Sequence, residues 1–164
     1  EHIKTRILTV FNPYLDPTGA GYNIIQSQIA IGSGGVYGKG YGNGAQSHLD
    51  FIPESNTDFI LAVLAEEFGL LGILFLICLY LFILLRSSYI AYSAKDMFSR
   101  LLAGSITLTF FIYVFVNMAM VSGLLPVIGL PLPLISRGGT AIVTFFVCFG
   151  LLMSIQTHGR LKEA

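Results

Sequence analysis

Three apolar runs, at 59–85, 101–125 and 138–156, set the terms for this chain. A helix rises about 1.5 Å per residue, so about 20 apolar residues cross the roughly 30 Å hydrocarbon layer of a bilayer. The uninterrupted part of the first run, 68–85, reaches roughly 27 Å as a helix, and Arg86 closes it. The second run carries Asn117, Ser122 and Gly123, and the third sits near the lower length limit for a span. An open sheet is excluded at that depth, because its edge amides would find no partner in lipid. Charged residues make up only 11% of the chain, against about a quarter in a soluble domain, so this reads as a membrane protein. The expected fold is an all-α integral membrane bundle with three transmembrane helices. Gly104, Ser105, Gly123 and Gly150 are small enough to let such helices approach closely.

The same residues exclude several functions. Net formal charge is zero, which removes nucleic acid as an obvious partner. Cys78 and Cys148 both lie inside apolar runs and read as packed thiols, not as a disulfide or a metal pair. His2, His48 and His158 share no ligand spacing, so a zinc site is not expected. The chain opens with neither an initiator Met nor a basic-then-apolar signal segment, so Glu1 reads as a cut partway through a longer protein.

Residues 1–58 precede the spans as one large polar loop with short helices. Pro13 and Pro17 make 12–21 turn-rich, since each disfavours helix at the residue before it. Residues 22–31 have room for two or three helical turns, too few to cross a bilayer and suited to its interface. The glycine-rich stretch 32–44 is not a P-loop: Ser33 stands where the first Gly belongs, and Gly40 follows Lys39 where Ser or Thr is required. It is either a tightly folded surface loop whose glycines permit positive φ or a backbone-amide cradle for a phosphate.

At 51–67 this loop gives way to the first span, with Asp58 at the junction. Thr57 or Asp58 is the natural N-cap, and the helix dipole there favours an ionised carboxylate. A charged acid beside a membrane-length run is costly unless it faces water or a polar cavity, so Asp58 is either a surface helix cap or a functional group. Arg86, Lys95 and Arg100 between the first two spans, with Arg160 and Lys162 after the third, mark the cytoplasmic side by the positive-inside bias. Lys4, Arg6, Lys39 and Arg137 then lie outside, which makes the bias moderate. The outer loop 126–137 is apolar yet broken by Pro126, Pro131 and Pro133; such backbone survives at membrane depth only inside protein or along a cavity. It is expected to dip back toward the bilayer beside Asp58, in a re-entrant manner.

Several stretches resemble the SEDS family of bacterial envelope proteins, named for shape, elongation, division and sporulation. They are Asp16-Pro17 with Gly19-Ala20-Gly21-Tyr22, the run from Gln26 through Ile29-Ala30-Ile31-Gly32-Ser33-Gly34-Gly35, and Gly38-Lys39-Gly40. Phe51-Ile52-Pro53-Glu54, Thr57-Asp58-Phe59-Ile60 and Ala65-Glu66-Glu67-Phe68-Gly69 follow. Asn117, Gly123-Leu124-Leu125-Pro126, Gly129-Leu130-Pro131-Leu132-Pro133, and Ser136 with Gly138-Gly139 complete the pattern, in order and over nearly the whole chain. The wording of 29–35 is similar to the elongation branch of the family more than to its division branch.

The resemblance implies a ten-span protein of which this chain is the C-terminal third, at work in the bacterial cytoplasmic membrane with its active face outside. Its implied activity is glycan-strand polymerisation from lipid II, the undecaprenyl-pyrophosphate-linked disaccharide, during cell elongation and shape maintenance. A class B penicillin-binding protein is the implied partner within the cell-elongation complex. Asp58 matches the acid regarded as catalytic in the family's Thr-Asp-Phe-Ile motif. It would accept the proton of the attacking sugar hydroxyl, or help hold a divalent cation, magnesium or manganese, against the leaving phosphates. Lys4, Arg6, Lys39 and Arg137 are candidate pyrophosphate contacts or ordinary interfacial cations, and Ser136 is a further candidate substrate contact. Glu66 and Glu67 read as structural, pairing with a neighbouring helix. Asn117 reads as an interhelical hydrogen-bonding residue, with Glu54 and Thr57 as supporting residues. Departures from the family pattern are Arg137 in place of an aromatic, Asn56 in place of a His, and Leu61 in place of a Phe. The family's other polar active-site groups fall on an earlier outer loop, so this segment alone is expected to be inactive. A lipid II flippase and a membrane scaffold for the transpeptidase are the rival readings.

Overall fold

The computed structural model describes residues 20–44 and 58–161. Four helices make up the fold: α1 (Ala20–Gly34), α2 (Ile60–Ser93), α3 (Met97–Val121) and α4 (Gly139–Leu161). Three of them, α2, α3 and the Gly139–Thr157 part of α4, are long and apolar enough to cross a membrane. No strand occurs among the described residues. A tight connection at 94–96 makes α2 and α3 antiparallel neighbours, and α4 packs on both.

Several boundaries differ from expectation: the second spanning helix covers 97–121 and not 101–125, and the third covers 139–161 and not 138–156. The first span does not stop at Arg86; the helix runs on to Ser93 and ends where Ala94 turns extended. Arginine is a good helix former and breaks nothing, and its guanidinium finds a place over the Tyr89 ring, 5.6 Å from the centroid. Nor is Asp58 the N-cap. Phe59 holds that position without any side-chain cap, and its carbonyl accepts the first helical bond from Ala62 at 2.9 Å. Phe59 is fully buried, so insertion of its ring into the core, not a capping oxygen, decides where the helix starts. Thr57, the other expected cap, lies outside the described residues.

The core is a column of apolar side chains between the spans: Phe59, Ala62, Leu76, Tyr80, Phe110, Val114 and Phe145 among others. Phe110 sits at its centre, with the rings of Tyr80, Phe145 and Phe149 meeting it edge-on at 5.5–5.8 Å between centroids. Residues 122–138 form no helix, yet Leu132, Pro133 and Ser136 are buried, so this segment folds inward upon the core. The Tyr80 hydroxyl fixes it by donating to the Pro133 carbonyl at 2.7 Å, inside the protein. Tyr80→Phe leaves that buried carbonyl unpaired and is expected to lower stability by about 1 kcal/mol, read from thermal unfolding in detergent.

The short helix α1 has a structural task. The Ser27 hydroxyl sits between the carbonyls of Ile24 (2.8 Å) and Val121 (2.9 Å), and Gln28 Nε2 donates to the Ser122 carbonyl at 3.3 Å. These contacts supply partners at the C-terminal end of α3, where helical carbonyls have none of their own. The helix expected at 22–31 is therefore longer at both ends, and it is clamped to the bundle through α2 and α3.

Candidate functional site

Asp58 occupies the turn immediately before α2 and is partly exposed. Its backbone carbonyl accepts a hydrogen bond from Asn117 Nδ2 at 2.9 Å, and the second hydrogen of the same amide goes to the Leu130 carbonyl at 2.7 Å. One fully buried side chain of α3 thus ties the aspartate turn to the inward-folded segment 122–138. Asp58 Oδ2 faces that segment: a Cβ placed on Gly129 would stand 3.3 Å from it. Gly129 has φ 80°, so the backbone here takes a form that only glycine adopts freely, and it leaves room beside the carboxylate. Among the described residues, Asn117 Oδ1 has no hydrogen-bond partner although it is buried. Asn117→Leu removes two donors but also this unpaired acceptor. The net loss is expected to be about 2 kcal/mol, measured by thermal unfolding, with faster proteolysis across 122–138.

The remaining site candidates fall elsewhere. Ser136 is only 2% exposed, with its amide bonded to the Leu132 carbonyl and its own carbonyl to the Gly138 amide. Arg137, next to it, is exposed. Lys39 lies against Glu66, with Nζ 2.7 Å from Oε1, and Glu67 accepts the Gly42 amide at 3.2 Å. Glu66 thus meets both the glycine loop, through Lys39, and the neighbouring helix α1, through the Ser33 hydroxyl at 3.5 Å, while Glu67 meets the loop. Packing explains this: Glu66 is completely buried where α2 meets that loop, and Lys39 is the cation the loop delivers. Lys4, Arg6, Glu54 and Thr57 lie outside the described residues.

Of the two readings of the glycine loop, the folded surface turn is the one observed. The amides of Gly38, Lys39, Gly40, Gly42 and Asn43 all donate to protein oxygens, four of them to backbone carbonyls and Gly42 to Glu67. None of these five is available to cradle a phosphate. The sequence places loop 126–137 beside Asp58 but does not reveal three features: Gly129 as the residue next to the carboxylate, Tyr80 as the anchor, and the break in helix α2 at Gly69. Among the described residues no group of three or more His, Cys, Asp or Glu is placed to hold a metal. A cation such as magnesium commonly takes one or two carboxylates plus substrate phosphates, and a single Asp58 fits only that mode.

Residues 2–161 match the FtsW/RodA/SpoVE family of cell cycle proteins. The chain belongs to this family. It is 53% identical over 98% of its length to peptidoglycan glycosyltransferase MrdB of Escherichia coli (strain K12), covering 44% of that protein. It is 43% identical over 93% of its length to peptidoglycan glycosyltransferase RodA of Treponema pallidum (strain Nichols), covering 35% of it. The chain thus spans less than half the length of these FtsW/RodA/SpoVE relatives. Among solved structures it resembles a chain of a peptidoglycan synthase complex that coordinates polymerization and crosslinking. The TM-score is 0.77 at 28% identity, over 94% of this chain and 41% of that one.

Proposed function

We propose that this chain is the catalytic-acid-bearing part of a peptidoglycan glycosyltransferase that extends glycan strands from lipid II. The observation that carries the reading is Asp58. It is a partly exposed carboxylate at the head of the first span, with its peptide held by Asn117 and its side chain beside an open glycine. In the reaction the acceptor sugar 4-hydroxyl attacks the donor's anomeric carbon. A new carbon–oxygen bond forms as the bond to undecaprenyl pyrophosphate breaks. Asp58 takes the hydroxyl proton, a role commonly worth about 10²–10⁴-fold. In the alternative role Asp58 would instead help hold a magnesium or manganese ion, which would supply charge neutralisation at the leaving phosphates. Both sugars hang from the bilayer by lipids, so a group at the outer rim of the cytoplasmic membrane is where they meet. Arg137, exposed directly after the buried Ser136, remains the described cation best placed to reach bulk phosphate.

The solved relative belongs to a synthase complex that coordinates polymerization with crosslinking, which supports a class B penicillin-binding protein as partner. One observation favours the rival reading of lipid translocation. Ser105, Thr109 and Tyr113 of α3 share with Thr140 and Thr144 of α4 a cleft of about 360 Å³ at membrane depth. Reconstituting a full-length protein carrying this segment with labelled lipid II reads both outcomes at once. Glycan polymer supports the transferase; translocation without polymer rejects it.

A further inference from the structure

Helix α2 is two rods, not one. At Gly69 (φ 65°, ψ −161°) the helical path is interrupted. The carbonyls of Glu66 and Glu67 would ordinarily bond the amides of Leu70 and Leu71. Instead Lys39 and Gly40 donate to those two carbonyls, each at 3.0 Å, while Leu70 and Leu71 donate to the carbonyls of Gly35 (3.0 Å) and Val36 (3.2 Å). The loop after α1 is thereby spliced into the break, and every backbone group freed at these positions is satisfied, as membrane depth requires. A side-chain layer lies over the splice. Lys39 Nζ is 2.7 Å from the fully buried Glu66 Oε1, the Ser33 hydroxyl is 3.5 Å from the same oxygen, and Glu67 Oε1 accepts the Gly42 amide. The upper rod, 60–68, begins two residues after Asp58.

We propose that Lys39 is a positioning residue which, by neutralising buried Glu66, sets the angle of the upper rod and hence the placement of Asp58, and that it is not a ligand for the substrate's pyrophosphate. This rests on the reading of Asp58 given above. Helical hydrogen bonds cannot hold the two rods at a fixed angle across the break, so the loop must. The loop stays only while the carboxylate beneath it has a countercharge, because an uncompensated charge at a buried position drives rearrangement. Lys39 itself keeps about a third of its side chain exposed, so an E66Q change leaves a solvated ammonium, whereas K39M takes the loop's charge away from a buried carboxylate.

The test is a double-mutant cycle in a full-length polymerase reconstituted with labelled lipid II. K39M is expected to lower kcat at least about tenfold with KM changed less than about twofold, and K39M/E66Q to return kcat to within about threefold of the parent, since both charges leave together. A K39M defect carried by KM, or a double variant as impaired as K39M, overturns the proposal in favour of phosphate binding. If K39M fails to accumulate in membranes, the comparison is E66Q against K39M/E66Q: equal activity supports the proposal, and a tenfold deficit in the double variant overturns it. Spin labels at Val63→Cys and Leu85→Cys, with Cys78 and Cys148 replaced, read the rod angle without catalysis. K39M is expected to shift the distance and K39M/E66Q to restore it, even were Asp58 dispensable; an unchanged distance in K39M overturns the proposal.

Discussion

Asp58→Asn is expected to abolish glycan polymer, lowering kcat by about 10²–10⁴-fold while leaving lipid II binding and protein yield near those of the parent. The substitution is informative because of what it preserves. Asn117 reaches Asp58 through the backbone carbonyl, which any residue supplies, so the turn keeps its anchor. Asparagine has the same outline as aspartate, so it fits beside Gly129 without new contacts. What disappears is the negative charge and the ability to accept a proton. Intact polymer from the variant, with translocation also unchanged, would remove Asp58 from the chemistry and leave only the helical bundle. Addition of magnesium or manganese separates the two roles allowed to the acid. A metal-holding carboxylate gives a variant whose residual activity rises with metal concentration, whereas a proton acceptor gives one that does not respond.

Gly69→Ala is expected to have the largest effect on folding. A side chain at φ 65°, ψ −161° occupies a region open essentially to glycine, at a cost of about 1–3 kcal/mol. Its Cβ would also drive into the Gly38 amide and the Val36 carbonyl, and a Cβ on Gly38 would strike the Glu67 carbonyl in return. The four splice hydrogen bonds contribute about 0.5–1.5 kcal/mol each, so their loss adds several kcal/mol. Alanine meanwhile favours an uninterrupted helix by about 1 kcal/mol over glycine. The outcome expected is therefore a straightened α2 with the loop expelled: a sharply lower unfolding temperature, trypsin cleavage after Lys39, and no polymer. Gly104→Ala is the control. Nothing lies within 4 Å of its Cβ position on α3, and the change is expected to leave stability within about 0.5 kcal/mol. Equal behaviour of the two variants would show that the break is incidental.

The contrast between these glycines shows where reading the chain stops. Gly69 and Gly104 both interrupt apolar runs, and their letters alone do not separate a hinge from a helix-surface glycine. The difference lies in what each backbone meets, and Gly69 meets residues about 30 positions earlier. Asn117 is similar. A lone amide in an apolar run announces a hydrogen bond, but its acceptors, Asp58 and Leu130, are fifty-nine and thirteen residues away. The charge of Lys39 alone suggests a phosphate contact or an ordinary interfacial cation, because Glu66 stands twenty-seven residues on, with no pattern joining them.

The chain's letters by themselves determine that it is helical, that three segments are long and apolar enough to cross a membrane, and that Asp58 heads the first of them. Transfer of apolar surface out of water is a sum over neighbouring residues, so it can be totalled along a line. Tertiary structure alone decides that α2 breaks at Gly69, that the glycine loop closes that break, and that Asn117 and Gly129 frame the carboxylate. Those outcomes depend on pairing individual donors and acceptors across the fold, and a hydrogen bond is made or lost within an ångström that no linear sum contains.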